Sequence, residues 1–541
     1  MLFQDVNQIG SGNSSSASVV VIGAGAVGLY AASQLAGRGC RVIVIESGNS
    51  DLGGFAAETY TTVGRAHAGI RLGRGRNLGG TTSLWGGQLV EFQRVDFDGR
   101  SWLPGSKWPV SYDEIAPYYR PTYQNLGMAA RVLDDDLVWQ SVSCKRPDLG
   151  ADFEVFLTRW MKTPNFAELF ARQIQADERM SVLTGHTAVG FQGAGGRLQA
   201  VRVVNEKGQS NWIKGDDFIL AAGTIENSRL LLHTARDPCW DAPWRRNRNL
   251  GRYFQDHLGG IVASFHPVDK RQFFKMFCNL VYAGYKFQPK IRMSNEVLRR
   301  KETYNVQAFF GFESQVSEHL VYLKQFLKAA LYGRRPSGMN DLFRKGLGGA
   351  RYLLPLMWKY TWDHRVFVPS TDKINLQVQA EHAPCAESCI RIDESVVDSC
   401  GLPRVILDWR LAGNEITPIR EFAIQIRDAL RTSGIGELRI DGDLLSLNQA
   451  FLAKLGDTYH QAGGTIMAAS EQDGVVDRNL RVFGTENLSV TGASIFRTAS
   501  NANTTFTALA FTTRLVDHLQ RVDSADGNSQ IDVGSTSVAA S

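Results

Sequence analysis

The sequence predicts an α/β protein, α+β overall, in which a parallel sheet is joined to a second domain built on a mixed sheet. Three observations carry this expectation. A compact strand-helix-strand unit opens the folded body, a later set of apolar strands returns to the same sheet, and a long central block mixes strands with helices. Continuously apolar strands flanking a helix imply parallel pairing, because both faces of such a sheet are covered.

The opening unit reads residue by residue. Val19 to Ile22 is a short apolar run, followed at once by Gly23-Ala-Gly25-Ala-Val-Gly28 and then by Leu29 to Arg38, with helical spacing at Ala32, Leu35 and Ala36. Gly39 ends the helix, and Arg41 to Ile45 is a second β-branched run closed by Glu46. In this frame Gly23 permits a tight turn, Gly25 lets a pyrophosphate approach the backbone, and Gly28 lets the helix pack closely on the strand. Glu46 stands at the end of the second strand, where a carboxylate can accept hydrogen bonds from ribose hydroxyls. The unit is Rossmann-like and does not by itself distinguish FAD from NAD. The uncharged stretch Ala17 to Gly37 suits this strand, turn and helix better than a bilayer span.

Further along, Ser181 to Gly190, Leu198 to Asn205 and Asn211 to Lys214 read as strands, and Phe218 to Ala222 is an apolar strand ending in Gly223. The block from about 260 to 450 carries strand-like runs at Asn375 to Glu381, Ile390 to Asp393 and Val405 to Arg410, with no phosphate-type glycine motif. It reads as a separate, substrate-side domain. Within it, Leu320, Leu323, Leu327 and Leu331 share a helical face beside Lys324 and Lys328. Polar, Ser-rich ends at 1–16 and 524–541 read as tails.

Composition narrows the function classes. The chain has 541 residues, 43% hydrophobic and 21% charged, which excludes a disordered or low-complexity protein. Its net charge of +5 is too small for a nucleic-acid surface unless concentrated. It is concentrated: residues 315–365 hold nine Lys and Arg against three Asp and Glu. Seven cysteines without a paired framework suggest reduced thiols and a cytoplasmic protein, and Cys385-x-x-x-Cys389 is read as lacking nearby histidines at ligand spacing, so no metal is expected. The 53 glycines exceed the usual share of about 7%. An excess of that kind points to close backbone approach to a ligand.

The segment Arg74-Gly-Arg76-Asn-Leu-Gly79-Gly80-Thr81-Thr82-Ser-Leu84-Trp85-Gly-Gly87 is too glycine-rich for a helix interior and too long for a turn, so it reads as a ligand-hugging loop. Here the chain resembles the glucose-methanol-choline (GMC) oxidoreductases, whose second FAD segment has this Leu-Gly-Gly-(Ser/Thr) form. The resemblance continues through Asp96-Phe97 and Trp108 to Glu114, where Ser111 and Glu114 would form a capping box. It extends through Phe218 to Ser228, Leu250 to His257, and the closing run Tyr459-His460-Gln-Ala-Gly463-Gly464, Gly474 to Asp477, Asn487-Leu488 and Gly492-Ala493-Ser494. The pattern is similar to the branch that includes pyranose oxidase and bacterial sugar dehydrogenase subunits.

The resemblance implies a discontinuous FAD-binding domain at 17–260 and 455–523, and a substrate domain at 261–454 with a basic helical insertion at 315–365. It implies FAD contacts at Gly23, Gly25, Gly28, Glu46, Gly79, Gly80, Thr81, Trp85, Gly223, Gly492, Ala493, Thr504 and Thr505. His460 takes the place of the catalytic base. The second polar position lies among Ser500 to Thr505, where Asn501 and Asn503 are both candidates; the gapless step to Arg514-Leu-Val-Asp517 favours Asn503. His257 is read as a structural histidine. Thr504 and Arg497 depart from the prolines usual in the family, and Leu84 stands where a covalent flavin histidine would precede the loop tryptophan, so FAD is expected to be noncovalent. The implied reaction is oxidation of an alcohol, a sugar, glycoside or cyclitol hydroxyl, by hydride transfer to flavin N5. An FAD-containing lyase, a non-redox flavin-fold protein and a sterol or aryl alcohol oxidase are the alternatives. The electron acceptor, oxygen, quinone or protein, is not legible. No nucleic-acid partner is expected, and the basic 315–365 stretch could contact an anionic membrane surface or a partner, or form a lid.

Overall fold

The computed structural model describes residues 16–49, 59–313, 353–366, 368 and 373–531. The leucine face at 320–331 and the predicted N-terminal tail up to residue 15 lie outside these residues.

The strand Ser16–Ile22 sits in the middle of a seven-stranded sheet. It pairs in parallel with Val42–Ile45 on one side and Ser210–Leu220 on the other. Its Val-Val-Val-Ile run is buried on both faces, as a parallel strand covered by helices requires. The helix Ala26–Gly37 follows after a three-residue turn, as the glycine motif predicts. Two readings change in detail. Asn211 to Lys214 and Phe218 to Ala222 belong to one strand, Ser210–Leu220. Ser181 to Gly190 divides at a turn into Met180–Leu183, parallel to Val42–Ile45, and His186–Ala194, antiparallel to Arg197–Asn205. The strand Leu488–Val490 joins the same sheet beside Ser210–Leu220, so the carboxyl-terminal part of the chain returns to the sheet that the amino-terminal part begins.

A nine-stranded sheet runs in the order Gly436–Ile440, Leu258–Pro267, Lys373–Ala380, Val306–Glu313, Tyr285–Met293, Phe153–Trp160 and Gln88–Leu89, with Leu280–Tyr282 and Gly456–Asp457 at its sides. Alternation gives it two unlike faces. Phe265, Phe310 and Phe273 pack together on one side, where Phe422 of the helix Ile416–Thr432 also meets Phe153. The opposite face carries Gln307 opposite Gln379, and Arg292 opposite Gln307.

Strand pairing distributes some segments differently from the sequence reading. Phe153–Trp160, from the stretch assigned to FAD binding, lies in the nine-stranded sheet. Cys389–Val397 and Pro403–Trp409, read as substrate-side strands, instead form a three-stranded sheet in which Pro403–Trp409 runs parallel to Tyr60–Gly64. The predicted tail from 524 also differs, because the last helix spans Thr504–Ile531. That helix is tied to the first by Tyr30 Oη and Thr513 Oγ1 at 2.8 Å and by the Arg38–Asp517 ion pair. The predicted capping box is present: the Ser111 amide donates to Glu114 Oε2 at 2.9 Å, opening the helix Tyr112–Asn125. Among the described residues no helix is long and apolar enough to cross a membrane.

Candidate active site

A cavity of about 390 Å³ opens at the carboxyl ends of the parallel strands. This is the place where open α/β sheets bind nucleotides. All thirteen residues proposed as FAD contacts line it except Gly28 and Gly79. Gly28 acts from behind: a Cβ there would sit 1.8 Å from the Gly23 carbonyl oxygen, so only glycine lets the first helix approach its strand. Gly80, at φ +55°, brings the loop onto the turn, and a Cβ there would lie 2.8 Å from Gly25 Cα. Gly25 itself meets nothing within 4 Å, leaving the helix terminus open towards the cavity. Glu46 is 7% exposed, and its two oxygens accept from the amides of Ala24 and Gly48 at 2.9 and 2.8 Å. Burial raises its pKa even though these amides oppose the shift. Its remaining lone pairs suit ribose hydroxyls. Thr504 and Thr505 bring the amino-terminal end of the last helix, which favours negative charge, to the opposite wall. The residues present therefore fit a flavin dinucleotide.

Sequence reasoning assigned no role to Arg74, Arg76, Glu226 and Arg229, which also line the cavity. Glu226 is held by Arg74 at 2.5 Å and Arg229 at 3.3 Å. Burial would raise its carboxyl, but the two guanidiniums bring it down to about 2. Arg74 and Arg76 sit inside the glycine loop, so their positions were legible; their facing direction was not.

His460 and Asn503 are not part of this wall, but Tyr459, Gln461, Thr504 and Thr505 on either side of them are. The half-buried His460 is framed from three directions. Its backbone amide, with those of His257 and Thr458, donates to Asp256 Oδ1. Asp256 is fully buried and its Oδ2 accepts from His67 Nε2 at 3.0 Å. Burial would raise the Asp256 carboxyl, yet the His67 hydrogen bond and the nearby imidazoles hold it below its ordinary value. His67, Asp256 and Asp457 offer ligand atoms within 4.8 Å of one another, but amide hydrogen bonds already engage them: Ile70 N to His67, and Ala68 N and Gly69 N to Asp457.

The ring of His460 makes its hydrogen bonds through Nδ1: Thr458 Oγ1 at 2.9 Å, Gln379 Nε2 at 2.8 Å and His257 Nδ1 at 3.1 Å. His257 Nε2 faces the Ala499 carbonyl at 2.9 Å and must donate, which leaves neutral His257 Nδ1 an acceptor. Gln379 Nε2, which can only donate, serves that acceptor at 2.5 Å and also stands 2.8 Å from His460 Nδ1, so the partners admit two His460 tautomers: one with Nδ1 accepting from Gln379, and one with Nδ1–H donating to Thr458 Oγ1 and the lone pair on Nε2. Burial, then the neighbouring His257 and the Lys290 ammonium, push the His460 pKa down to about 3 against the pull of Asp256. His257 is depressed too, mainly by burial. His257 stands against the His460 ring at 3.1 Å between the two Nδ1 atoms, and Gln379 joins the pair without any sequence signal.

The two asparagines part company. Asn501 is 2% exposed and committed inward: its Nδ2 donates to Asn305 Oδ1 at 2.7 Å, and its carbonyl accepts from Gln307 Nε2. The Asn503 side-chain oxygen is buried without a hydrogen-bond partner. An orphaned buried acceptor costs roughly 1–3 kcal/mol. Asn503 is therefore the one with capacity for a ligand.

Comparison with known proteins agrees with this geometry. A family model described as "GMC oxidoreductase" matches residues 384–512, and one described as "FAD dependent oxidoreductase" matches residues 18–245. The chain is 23% identical to a 2-methyl-1,2-propanediol dehydrogenase of Mycolicibacterium austroafricanum, over 82% of this chain and 81% of that protein. It is 34% identical to a paromamine 6'-oxidase of Streptomyces fradiae over 20% of this chain and 23% of that one. Among solved structures, pyridoxine 4-oxidase from Mesorbium loti superimposes with TM-score 0.56 at 17% identity, covering 94% of this chain and 99% of that chain. Formate oxidase gives TM-score 0.55 at 16% identity, covering 94% and 98%. The amino-terminal part that carries the glycine cradle thus matches the FAD dependent oxidoreductase model, and the carboxyl-terminal part that carries His460 matches the GMC oxidoreductase model.

Proposed function

We propose that this protein oxidises an alcohol, a sugar, glycoside or cyclitol hydroxyl, to a carbonyl, with His460 as the base. The observation that carries the reading is the orientation of His460: Nδ1 meets three partners and Nε2 none among the described residues. FAD, when bound, supplies the hydride acceptor. In the tautomer whose Nδ1–H donates to Thr458 Oγ1, His460 Nε2 takes the hydroxyl proton, and Asn503 holds the same hydroxyl through its side-chain amide, which has the hydrogen-bonding capacity to spare. A neutral imidazole is required at the start, and the depressed pKa supplies it throughout the physiological range. The 2-methyl-1,2-propanediol dehydrogenase to which the chain is similar acts on a diol by name, which supports an alcohol substrate.

The flavin is bound noncovalently in this reading, because the loop from Arg74 to Gly87 offers no histidine, cysteine or tyrosine. His460→Ala should keep its FAD, released to the supernatant on acid precipitation as in the wild type. It should lose roughly 10² to 10⁴ in the rate of anaerobic flavin bleaching by the alcohol. Full-speed bleaching in that variant would overturn the assignment; bleaching of neither protein by any alcohol would favour a lyase or a non-redox role.

A further inference from the structure

Lys290 lies in the strand Tyr285–Met293 and is only 2% exposed. Burial alone acts on its ammonium, with no carboxylate opposing it. Its Nζ stands 5.3 Å from the centre of the Phe309 ring. Carboxylates of the region are committed elsewhere: Glu154 to Arg292, Glu381 to Arg100, and Asp256 to His67 and three amides.

Register shows which way this cation faces. Lys290 and Arg292 are two apart on one strand and so share a face. Arg292 lies opposite Gln307, and Gln307 opposite Gln379, which reaches His460 Nδ1. Lys290 therefore stands on the polar face of the nine-stranded sheet, the face turned towards the base, and its charge bears on both His460 and His257. The same region holds two buried amide oxygens without partners, Gln307 Oε1 and Asn503 Oδ1. Two orphan acceptors ask for hydroxyl donors, and a buried amine whose pKa burial lowers to about 7 keeps its proton in the company of an anion.

We propose that the substrate is a polyhydroxylated acid of the sugar-acid type, whose carboxylate is received by Lys290 while its hydroxyls meet Gln307 and Asn503. This rests on the alcohol-oxidising reading and adds a charge to its substrate class. Lys290 is then a specificity-determining residue: it receives the carboxylate and does not take the proton.

The test uses the FAD-loaded enzyme and matched pairs: glucose against glucuronate, galactose against galacturonate, and glycerol against glycerate. Wild type should bleach its flavin with at least a tenfold higher kcat/KM for the acid member of one pair. In Lys290→Met that ratio should fall to near one, with Lys290→Arg recovering part of it. Equal or better use of the neutral members by the wild type overturns the proposal. A turnover-free readout separates it from the reading it rests on: cyclohexanecarboxylate should perturb the flavin spectrum of the wild type, and bind at least tenfold more weakly to Lys290→Met. Carboxylate binding without bleaching by any alcohol would sink the oxidoreductase reading and leave the Lys290 site standing. Absence of carboxylate binding to the wild type would sink the site, whether or not the variants fold.

Discussion

His460 is held neutral by its surroundings, because burial, the neighbouring His257 and Lys290 all disfavour the imidazolium. The sign of the pH effect follows. A base must be unprotonated, so activity is full above the pKa and is lost as pH falls through it. With that value depressed to about 3, kcat/KM should hold its plateau well below the free-histidine value of about 6.5. An acidic limb centred near 6.5 in the pH profile would mean that His460 is more solvated than its contacts indicate. The asparagine pair gives a second expectation. Asn501→Ala removes a partner of Asn305 within a buried network and should lower stability by about 1–3 kcal/mol, read in denaturant melts. Asn503→Ala deletes an oxygen that has no partner, so it should leave stability nearly unchanged while slowing flavin reduction. The reverse pattern would hand the substrate position to Asn501.

Among the elements, the junction of strand Ser16–Ile22 with helix Ala26–Gly37 has the least freedom. The helix can begin three residues after the strand only because position 28 has no side chain, the hypothetical Cβ lying 1.8 Å from a backbone carbonyl that cannot yield. Gly28→Val should therefore drive helix from strand, and purified protein should carry less than a tenth of the wild-type flavin absorbance per chain. Retention of full flavin would show that the junction can relax. This element was legible because its signals are local: a turn, a period and an acid at fixed spacing. The strands Cys389–Val397 and Pro403–Trp409 were legible as strands but not as partners of Tyr60–Gly64. Their alternation reveals a pleated, half-buried surface, and nothing in it specifies which edge more than 300 residues away will pair with it.

For the whole molecule, charge is the property that composition understates. Residues 315–365 carry a net +6, and the rest of the chain sums to −1. Where this stretch is described, the helix Leu353–Thr361 and its end expose Trp358, Tyr360 and Trp362 at 57%, 48% and 67%, with the two tryptophan rings stacked. Exposed tryptophan and tyrosine beside a basic cluster suit the interface of an anionic lipid surface. Sedimentation with phosphatidylserine vesicles should therefore exceed that with neutral vesicles. It should weaken between 50 and 500 mM salt, and fall further in a Trp358→Ala, Trp362→Ala variant. Equal sedimentation with both vesicle types would leave the patch an ordinary surface.

By itself the sequence determined the nucleotide-binding unit and the glycine loop, each of which depends on residues close together in the chain. The places given to His460 and Asn503 rest on the likeness of the closing segment to the GMC oxidoreductases. Only the tertiary structure decided what surrounds the base. Asp256 beneath His460, the His257 ring beside it, Gln379 on a strand of the nine-stranded sheet, and the buried amine of Lys290 are brought together only in the folded chain. In Tyr-Lys-Phe-Gln-Pro-Lys-Ile-Arg-Met, Lys290 reads as one polar residue in an alternating strand, of the kind that normally faces water. It is buried because the segments that carry His257 and His460 lie over that face, and such closure is a property of the folded molecule rather than of any segment of it.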